Sequence, residues 1–331
     1  MKEACCYRRL SEDKVHCQLC PHFCVISPGH VGICKVRRNE SGSLVSLNYG
    51  RVTSVALDPV EKKPLYHFFP GSVIMSMGTW GCNFHCEFCQ NWEISQVEAV
   101  TEGLSPEESA KLAANDGSIG IAYTYNEPTI WFEHVYETAV LVKQAGLKNV
   151  LVTNGFINPE PLDQLLEVVD ALNIDIKSMS DEFYREQTGG RLKPVLEAAV
   201  RAKAKVHVEV TYLVIPTLND RPEDFEEFGR WVAENLGEET PCHLSAYFPR
   251  FRLKQEATPL RVLVQAHEIV SLHVKHAYVG NVGAGVGQET VCAGCGRVLI
   301  GRRGYVVETM GLRGGRCVDC GRRLKGQFAE I

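Results

Sequence analysis

Three cysteines in the middle of the chain, Cys82, Cys86 and Cys89, have the spacing C-x3-C-x2-C. They lie in the segment GTWGCNFHCEFCQNW, directly after a short apolar run that ends at Met77. Thiolates bind zinc and iron–sulfur clusters, and a [4Fe–4S] cluster is usually held by four of them. A tight set of three therefore indicates a cluster with one iron open to another ligand. A zinc site completed by His85, or three thiols without a metal, are the alternatives.

A second set of cysteines near the C-terminus has the spacing C-x2-C-x21-C-x2-C. Its members are Cys292, Cys295, Cys317 and Cys320. This is similar to a zinc ribbon whose middle spacing is one residue longer than usual. The segments RVLI and YVVETM flank the turn GRRG and predict a β-hairpin too small to be stable by burial alone. Zinc bound by four thiolates would supply the missing stability, and an auxiliary iron–sulfur cluster is the alternative.

A third set lies near the N-terminus with the spacing C-x2-C-x3-C-x9-C. Its members are Cys17, Cys20, Cys24 and Cys34. Because the segment is short and polar, we expect it to fold poorly by burial, and a second metal site would stabilise it. Buried structural thiols without a metal fit this spacing equally well. No metal role is predicted for Cys5, Cys6 or Cys242.

The overall composition favours a protein of the reducing cytoplasm. The chain has 331 residues, which suggests about two domains, and it contains 14 Cys. Its opening MKEACCYRRLSEDK lacks the apolar stretch of a secretory signal, so disulfides are not expected. The most apolar stretch, residues 206–216, contains His207 and Glu209, so no membrane span is predicted.

The middle of the chain alternates short apolar segments with amphipathic ones, which predicts strands separated by helices. One helix start is marked by a capping box of Ser105 and Glu108. Strands joined by helices without hairpin turns form a parallel sheet, so the fold class is α/β. Six or seven units indicate an open or partial (β/α) barrel, whose ligands bind at the carboxyl ends of the strands. We divide the chain into a Cys-rich segment (1–69), the barrel (70–285) and the ribbon-like module (286–331).

The central motif resembles that of the radical S-adenosylmethionine (SAM) superfamily, C-x3-C-x-aromatic-C, with Phe88 as the aromatic residue. The resemblance covers about residues 70–285 and implies a partial (β/α)6-type barrel. It also implies that Cys82, Cys86 and Cys89 hold a [4Fe–4S] cluster whose fourth iron is chelated by SAM. One electron then cleaves SAM to methionine and a 5′-deoxyadenosyl radical, which abstracts hydrogen from the substrate. In such enzymes the cofactor supplies the chemistry and the protein positions it.

The same resemblance implies that residues after successive strands approach SAM. Tyr125-Asn126-Glu127-Pro128 stands where the superfamily carries a Gly-Gly-Glu-Pro-like segment, and only Glu127 and Pro128 match it directly. The segments TNGF and D-x-K resemble those of glycyl-radical-enzyme activases. The implied cofactor-binding residues are Phe88, Asn126, Glu127, Thr153, Asn154, Asp175 and Lys177. In isolation, Asn154-Gly155 would be a plain turn and Lys177 a solvated charge.

Several longer segments, among them DPVEKKPLYHFFPGS, YTYNEPT and LVIPTLND, resemble the radical SAM component of the AmmeMemoRadiSam system. That family is related to pyruvate formate-lyase activating enzymes. The resemblance implies an association with Memo-family and AMMECR1-family proteins, and an electron donor such as a flavodoxin or ferredoxin. It does not identify the substrate.

Two other functions remain open from the sequence. One is the activation of a glycyl-radical enzyme, although a minimal activase does not require the terminal cysteine sets. The other is a non-catalytic iron–sulfur or zinc scaffold, which would not need Glu127 and Lys177. Basic residues near the ribbon, such as Arg302, lack an aromatic platform, so nucleic-acid binding is not expected. His243 and Tyr247 are candidates either for contact with the substrate or for the core.

Overall fold

The N-terminal part consists of short strands in small antiparallel sheets. The computed structural model describes residues 1–114, 117–283 and 285–329. These first strands are β1 (Lys2–Glu3), β2 (Tyr7–Arg9), β3 (Val15–Cys17), β4 (Val25–Ile26), β5 (Arg37–Glu40), β6 (Ser43–Ser46) and β7 (Arg51–Val52). β6 lies between β1 and β5, and β3 lies between β2 and β4. Contrary to the expectation of poor burial, Val15, Leu19, Val36 and Leu44 belong to the same hydrophobic cluster as the main sheet.

The centre of the molecule is an eight-stranded sheet whose strand order follows the chain. Its strands are β8 (Ser54–Pro59), β9 (Val73–Gly78), β11 (Gly120–Tyr123), β12 (Lys148–Thr153), β13 (Ala171–Asp175), β14 (His207–Val214), β15 (Cys242–Ala246) and β16 (Ala277–Gly280). The short β10 (Glu102–Gly103) pairs with β7 instead. The last seven strands are parallel, which confirms the predicted α/β class. In the described part of the chain β8 and β16 do not pair, so the sheet is open.

The first strand of this sheet differs from the sequence expectation. Ser54–Pro59 lies within the predicted Cys-rich segment, but it pairs antiparallel with β9 along its whole length. Its apolar residues Val55 and Leu57 are exposed. It therefore lacks the pattern of a buried strand, and only pairing with β9 reveals its place.

Helices follow most of the parallel strands, as predicted. They are α1 (Trp92–Ser95), α2 (Pro106–Ala113), α3 (Phe132–Gln144), α4 (Pro159–Leu166), α5 (Asp181–Phe183), α6 (Leu192–Lys203), α7 (Pro222–Asn235) and α8 (Leu260–Val270). The predicted capping box at α2 is confirmed, because Ser105 and Glu108 exchange side chain to backbone hydrogen bonds. Within the described ranges, every helix is too short or too polar to cross a membrane.

The C-terminal module is a small set of antiparallel strands with its own core. The strands are β17 (Thr290–Val291), β18 (Val298–Arg303), β19 (Val306–Thr309), β20 (Leu312–Arg313) and β21 (Arg316–Cys317). β18 and β19 form the predicted hairpin, but its turn is Gly304-Tyr305 rather than the whole GRRG segment. Arg302 is buried rather than free for RNA: it donates a 2.7 Å hydrogen bond to the Tyr66 carbonyl. That bond ties the module to the segment between β8 and β9.

Candidate metal and cofactor site

The loop of Cys82, Cys86 and Cys89 follows β9 at the carboxyl end of the sheet. Gly81 precedes it with φ 90°, and a Cβ there would lie 2.7 Å from the Cys34 carbonyl oxygen. Glycine is therefore required for this close approach. Asn126 fixes the loop from the next strand end, since its Nδ2 donates to the Gly81 carbonyl (2.8 Å).

Two cysteines of this loop, Cys82 and Cys89, have a polar group next to the sulfur atom. The backbone N–H of Phe84 donates to Cys82 Sγ (3.3 Å), and Cys89 Sγ lies 3.1 Å from Ser95 Oγ. Burial raises the pKa of the Cys82 thiol well above its ordinary value, and the nearby Glu127 carboxylate raises it further. Burial also raises the pKa of Cys86, to about 12. These thiols become good metal ligands only when a bound metal displaces their protons.

Among the described residues, His85 and these three thiols do not form a group whose ligand atoms all lie within 4.8 Å, so the structure does not bring them together as a zinc site. His85 Nδ1 lies 3.0 Å from Gln96 Oε1, and Gln96 Nε2 in turn donates to the Phe84 carbonyl. The side chain therefore supports the loop. Three thiols without His85 fit an iron–sulfur cluster with one iron open better than they fit a tetrahedral zinc site.

Glu127 links the ends of two strands. One of its oxygens, Oε1, accepts from the Thr129 N–H and the Thr153 hydroxyl, and Oε2 accepts from the Asn154 N–H (2.8 Å). Burial raises its pKa, and these hydrogen bonds offset only part of the effect. Asn154 Nδ2 also donates to Asn83 Oδ1 in the cysteine loop (2.9 Å). The predicted residues Glu127, Thr153 and Asn154 therefore lie together beside the cysteines.

Asp175 and Lys177 form an ion pair at the end of β13. Lys177 Nζ lies 2.6 Å from Asp175 Oδ2 and 5.6 Å from the centre of the Phe88 ring. Burial lowers the pKa of Lys177, but Asp175 and Cys86 outweigh it and raise the pKa above the ordinary value. The second oxygen, Asp175 Oδ1, is buried without a hydrogen-bond partner. This pair therefore brings a cation and an uncommitted acceptor next to the predicted cluster.

Tyr125 is held by residues that were not predicted to belong to the site. It has φ 71°, the left-handed conformation that favours glycine, at the place where the superfamily carries glycine. Its hydroxyl donates to Asp58 Oδ2 (2.7 Å), and Lys63 Nζ bonds the same oxygen. Both partners lie in or beside the motif DPVEKKPLYHFFPGS, so the motif itself was a signal for them.

His243 and Tyr247 do not join this group. His243, near the amino end of β15, hydrogen-bonds Glu209 (2.7 Å), and the Tyr247 hydroxyl donates to the Leu253 carbonyl. The core alternative therefore describes His243 better than contact with a substrate.

The C-terminal cysteines come together as a compact group. The ligand atoms of Cys292, Cys295, Cys317 and Cys320 all lie within 4.8 Å of one another. Two sulfur pairs, Cys292 with Cys320 and Cys295 with Cys317, are 3.5 and 3.6 Å apart. This four-cysteine group could hold a metal. All fourteen cysteines of the chain are free thiols in this structure.

Comparison with known proteins agrees with this arrangement. The family model of the radical SAM superfamily matches residues 78–232. The uncharacterized protein MJ0808 of Methanocaldococcus jannaschii is 40% identical over 98% of this chain and 99% of its own length. Pyruvate formate-lyase 1-activating enzyme of Escherichia coli is 29% identical over 46% of this chain and 66% of that enzyme. A radical SAM methyltransferase from Sphaerobacter thermophilus has a similar fold (TM-score 0.52, 16% identity, 67% of this chain and 71% of that one).

This chain belongs to the radical SAM superfamily. Membership implies a [4Fe–4S] cluster and SAM, and enzymes of this class typically take electrons from a reductant such as a flavodoxin or ferredoxin.

Proposed function

We propose that this protein is an enzyme that cleaves SAM reductively at a [4Fe–4S] cluster held by Cys82, Cys86 and Cys89. The observation that carries the proposal is the position of these thiols at the carboxyl end of the parallel sheet, with Asn154 beside Cys82 and Lys177 beside Cys86. The cluster and SAM together supply a one-electron cleavage that yields methionine and a 5′-deoxyadenosyl radical for hydrogen abstraction.

The residues around the cysteine loop would bind and orient SAM. Asp175 Oδ1 is a buried acceptor without a partner, and it suits a donor group of a bound cofactor. Lys177 supplies a nearby positive charge, which suits a carboxylate. Glu127 and Asn126 hold the neighbouring loops in place through the contacts described above. Phe88, Thr153 and Asn154 complete the set of proposed SAM-binding residues.

The C-terminal four-cysteine group is proposed to bind structural zinc. Tetrahedral zinc with sulfurs at about 2.3 Å places them about 3.8 Å apart, close to the 3.5 and 3.6 Å found here. The hairpin β18–β19 is then the scaffold of a zinc ribbon, and the main sheet is a partial (β/α)6-type barrel extended by one parallel strand. An auxiliary iron–sulfur cluster at this four-cysteine group is the alternative.

The substrate is proposed to be a protein or a small molecule. A second candidate function is glycyl-radical activation, which the similarity to pyruvate formate-lyase activating enzymes favours. The resemblance to the AmmeMemoRadiSam component adds Memo-family and AMMECR1-family proteins as proposed partners. Activation has a direct test: 5′-deoxyadenosine isolated after turnover should gain deuterium from a partner protein labelled at its glycine α-carbon.

The main proposal is tested by anaerobic reconstitution with iron and sulfide, reduction with dithionite in the presence of SAM, and assay of 5′-deoxyadenosine. The wild-type protein and the control variant Cys242→Ala, which removes a buried thiol outside the site, should both form it. The variant with Cys82, Cys86 and Cys89 all changed to Ala should form none. Product formation by that triple variant would exclude the central assignment.

A further inference from the structure

The four N-terminal cysteines converge on one small, apolar cavity. Cys17, Cys20, Cys24 and Cys34 all line it, together with Arg37. They come from the turns around β3 and β4 and from the chain before β5, so the small antiparallel sheets bring them together. Converging thiols can be simple packing, but Arg37 and the backbone beside the cysteines add features that indicate a ligand.

Arg37 is a buried cation with one nitrogen that has no hydrogen-bond partner. Its side chain is 1% exposed, and its terminal nitrogens bond Glu133 Oε1 (2.7 Å) and the Cys5 carbonyl (3.1 Å). The third nitrogen, Nε, is buried without a partner. Buried N–H groups are rarely left without an acceptor, because the loss of hydration is not compensated. An anionic group in the cysteine cavity would supply that acceptor.

The backbone around these cysteines has the hydrogen-bond pattern of the other two cysteine sets. The backbone N–H groups of Leu19, His22 and Val36 each hydrogen-bond the thiol of the cysteine two residues before them, Cys17, Cys20 and Cys34. The same i to i+2 contact joins Phe84 to Cys82 and Gly294 to Cys292. Such N–H···S contacts stabilise metal-bound thiolates and tune iron–sulfur clusters.

The spacing of the sulfurs distinguishes the two terminal sets. In the described part of the chain, the C-terminal set is the group whose ligand atoms all lie within 4.8 Å, and the N-terminal thiols do not form such a group. Zinc needs its sulfurs about 3.8 Å apart, since each lies about 2.3 Å from the metal. An iron–sulfur cluster separates its cysteines more widely because its own iron and sulfide atoms lie between them.

We propose that Cys17, Cys20, Cys24 and Cys34 hold a second iron–sulfur cluster, to which Arg37 donates its Nε–H. A cluster with four thiolates is anionic, so it accepts a charge-assisted hydrogen bond from Arg37 Nε, the guanidinium nitrogen that has no other partner.

This second site lies against the central cysteine loop. His22, between Cys20 and Cys24, donates from Nε2 to the Asn83 carbonyl (2.7 Å), and Asn83 is the residue after Cys82. One hydrogen bond therefore connects the two loops. We assign the second cluster the role of a one-electron carrier: a reduced donor of the flavodoxin or ferredoxin class loses one electron, which the cluster accepts and passes inward without bond changes. This role rests on the proposed function, but metal binding at the site does not.

The test counts iron in a protein without the central ligands. The variant C82S/C86S/C89S, reconstituted anaerobically, should retain about two to four iron and as much sulfide per chain, and Mössbauer spectra give the cluster type. Adding Cys20→Ser and Cys24→Ser should remove this iron, whereas adding Cys242→Ala should not. A folded triple variant without iron, or with zinc at the N-terminal site, would overturn the proposal.

If the triple variant does not fold, the iron content of the wild-type protein tests the second site instead. Iron clearly above the roughly four atoms of one [4Fe–4S] cluster, which is lost on Cys20→Ser and Cys24→Ser but kept in a C-terminal Cys317→Ser variant, supports the second site, and about four atoms contradict it. Arg37→Lys should lower the midpoint potential of the N-terminal cluster, because a hydrogen bond to cluster sulfur is lost.

The carrier role has a readout other than turnover. Two reduced clusters this close should show spin coupling in electron paramagnetic resonance spectra of the wild type, and the coupling should disappear in C82S/C86S/C89S. Uncoupled spectra from a protein that holds both clusters would refute the role. Wild-type protein with both clusters that forms no 5′-deoxyadenosine would instead refute the proposed function.

Discussion

Two buried glutamates at opposite ends of the same sheet have opposite electrostatic environments. Glu127, after the carboxyl end of β11, accepts hydrogen bonds only from neutral donors, and burial raises its pKa. Glu209, near the amino end of β14, accepts from His207 and His243 and from two backbone N–H groups. Burial alone would raise the pKa of Glu209 too, but the hydrogen bonds from the two histidines hold it well below its ordinary value.

The difference shows how the two ends of the sheet divide their roles. The two backbone donors to Glu209, Tyr66 and His67, belong to the segment between β8 and β9, on which the C-terminal module docks. His67 Nδ1 also lies 2.9 Å from the Lys325 carbonyl. At the amino end, Glu209 therefore joins parts of the fold, and each of its two oxygens accepts two hydrogen bonds. At the carboxyl end, Asp175 Oδ1 is a buried acceptor without a partner beside the cysteine loop, which suits ligand binding.

The sharpest test of this division removes the central thiols. Replacing Cys82, Cys86 and Cys89 with Ala should abolish the central cluster's visible absorbance and all SAM cleavage, because the cubane loses its ligands. The free energy of unfolding of the metal-free protein should change far less than in Glu209 variants. Chemical denaturation compares the two, and an equally large loss of stability would contradict the division.

The next test concerns the module at the amino end. Replacing any one of Cys292, Cys295, Cys317 or Cys320 with Ser should release about one zinc per chain. Because the module has only a small core, residues beyond about 288 should become protease-sensitive. Proteolysis with mass spectrometry and metal analysis measure both effects. Iron at this site after anaerobic purification would instead identify an auxiliary cluster.

Glu209→Ala should destabilise the folded protein by about 3–5 kcal/mol, since it leaves two histidines and two N–H groups buried without an acceptor. Urea denaturation measures this loss. The affinity of the remaining folded protein for SAM should be unchanged. Weaker SAM binding at equal cluster content would show that the two ends are coupled.

Smaller effects are expected at the carboxyl end. Lys177→Ala and Glu127→Ala should keep the central cluster but weaken SAM binding by about 1.5–3 kcal/mol, which is tenfold or more. Equilibrium binding of SAM to the reconstituted variants tests this. Unchanged affinity in both variants would refute their placement in the SAM site.

The smallest expected effect is the pH dependence of stability, which should have opposite signs for the two glutamates. The depressed pKa of Glu209 stabilises the fold above the unfolded value of about 4.3, and this contribution is lost as the pH falls through the native pKa. The raised pKa of Glu127 favours the fold below about 4.3, and that contribution is lost as the pH rises through its native pKa.

Denaturation of Glu209→Gln and Glu127→Gln between about pH 2 and pH 7 measures both slopes. Glu209→Gln should flatten the acid loss of stability, and Glu127→Gln should remove the opposing slope. Identical profiles for the two variants would remove the electrostatic distinction between the two ends.

The amino-acid sequence by itself determined the features that depend on neighbours in the chain. The C-x3-C-x2-C spacing, the capping box of Ser105 and Glu108, and the alternation of strands and helices all act over a few residues. The superfamily and the parallel sheet could therefore be predicted, because local periodicity and short spacings can be identified in the sequence without knowing the fold. The C-terminal four-cysteine group was predictable for the same reason, since each pair spans four residues.

Tertiary structure alone decided which distant groups meet. Glu209 was expected only as a polar residue in an apolar strand, yet it joins β14, β15 and the segment before β9. The edge strand Ser54–Pro59 and the buried core of the N-terminal segment had no local pattern that marked them. The placement of Arg37, with its unpartnered Nε, in the lining of the cysteine cavity could not be inferred from spacing either. Hydrogen bonds and burial between segments far apart in the chain depend on how the whole sheet brings them together, and that information lies in three-dimensional packing rather than in any short run of residues.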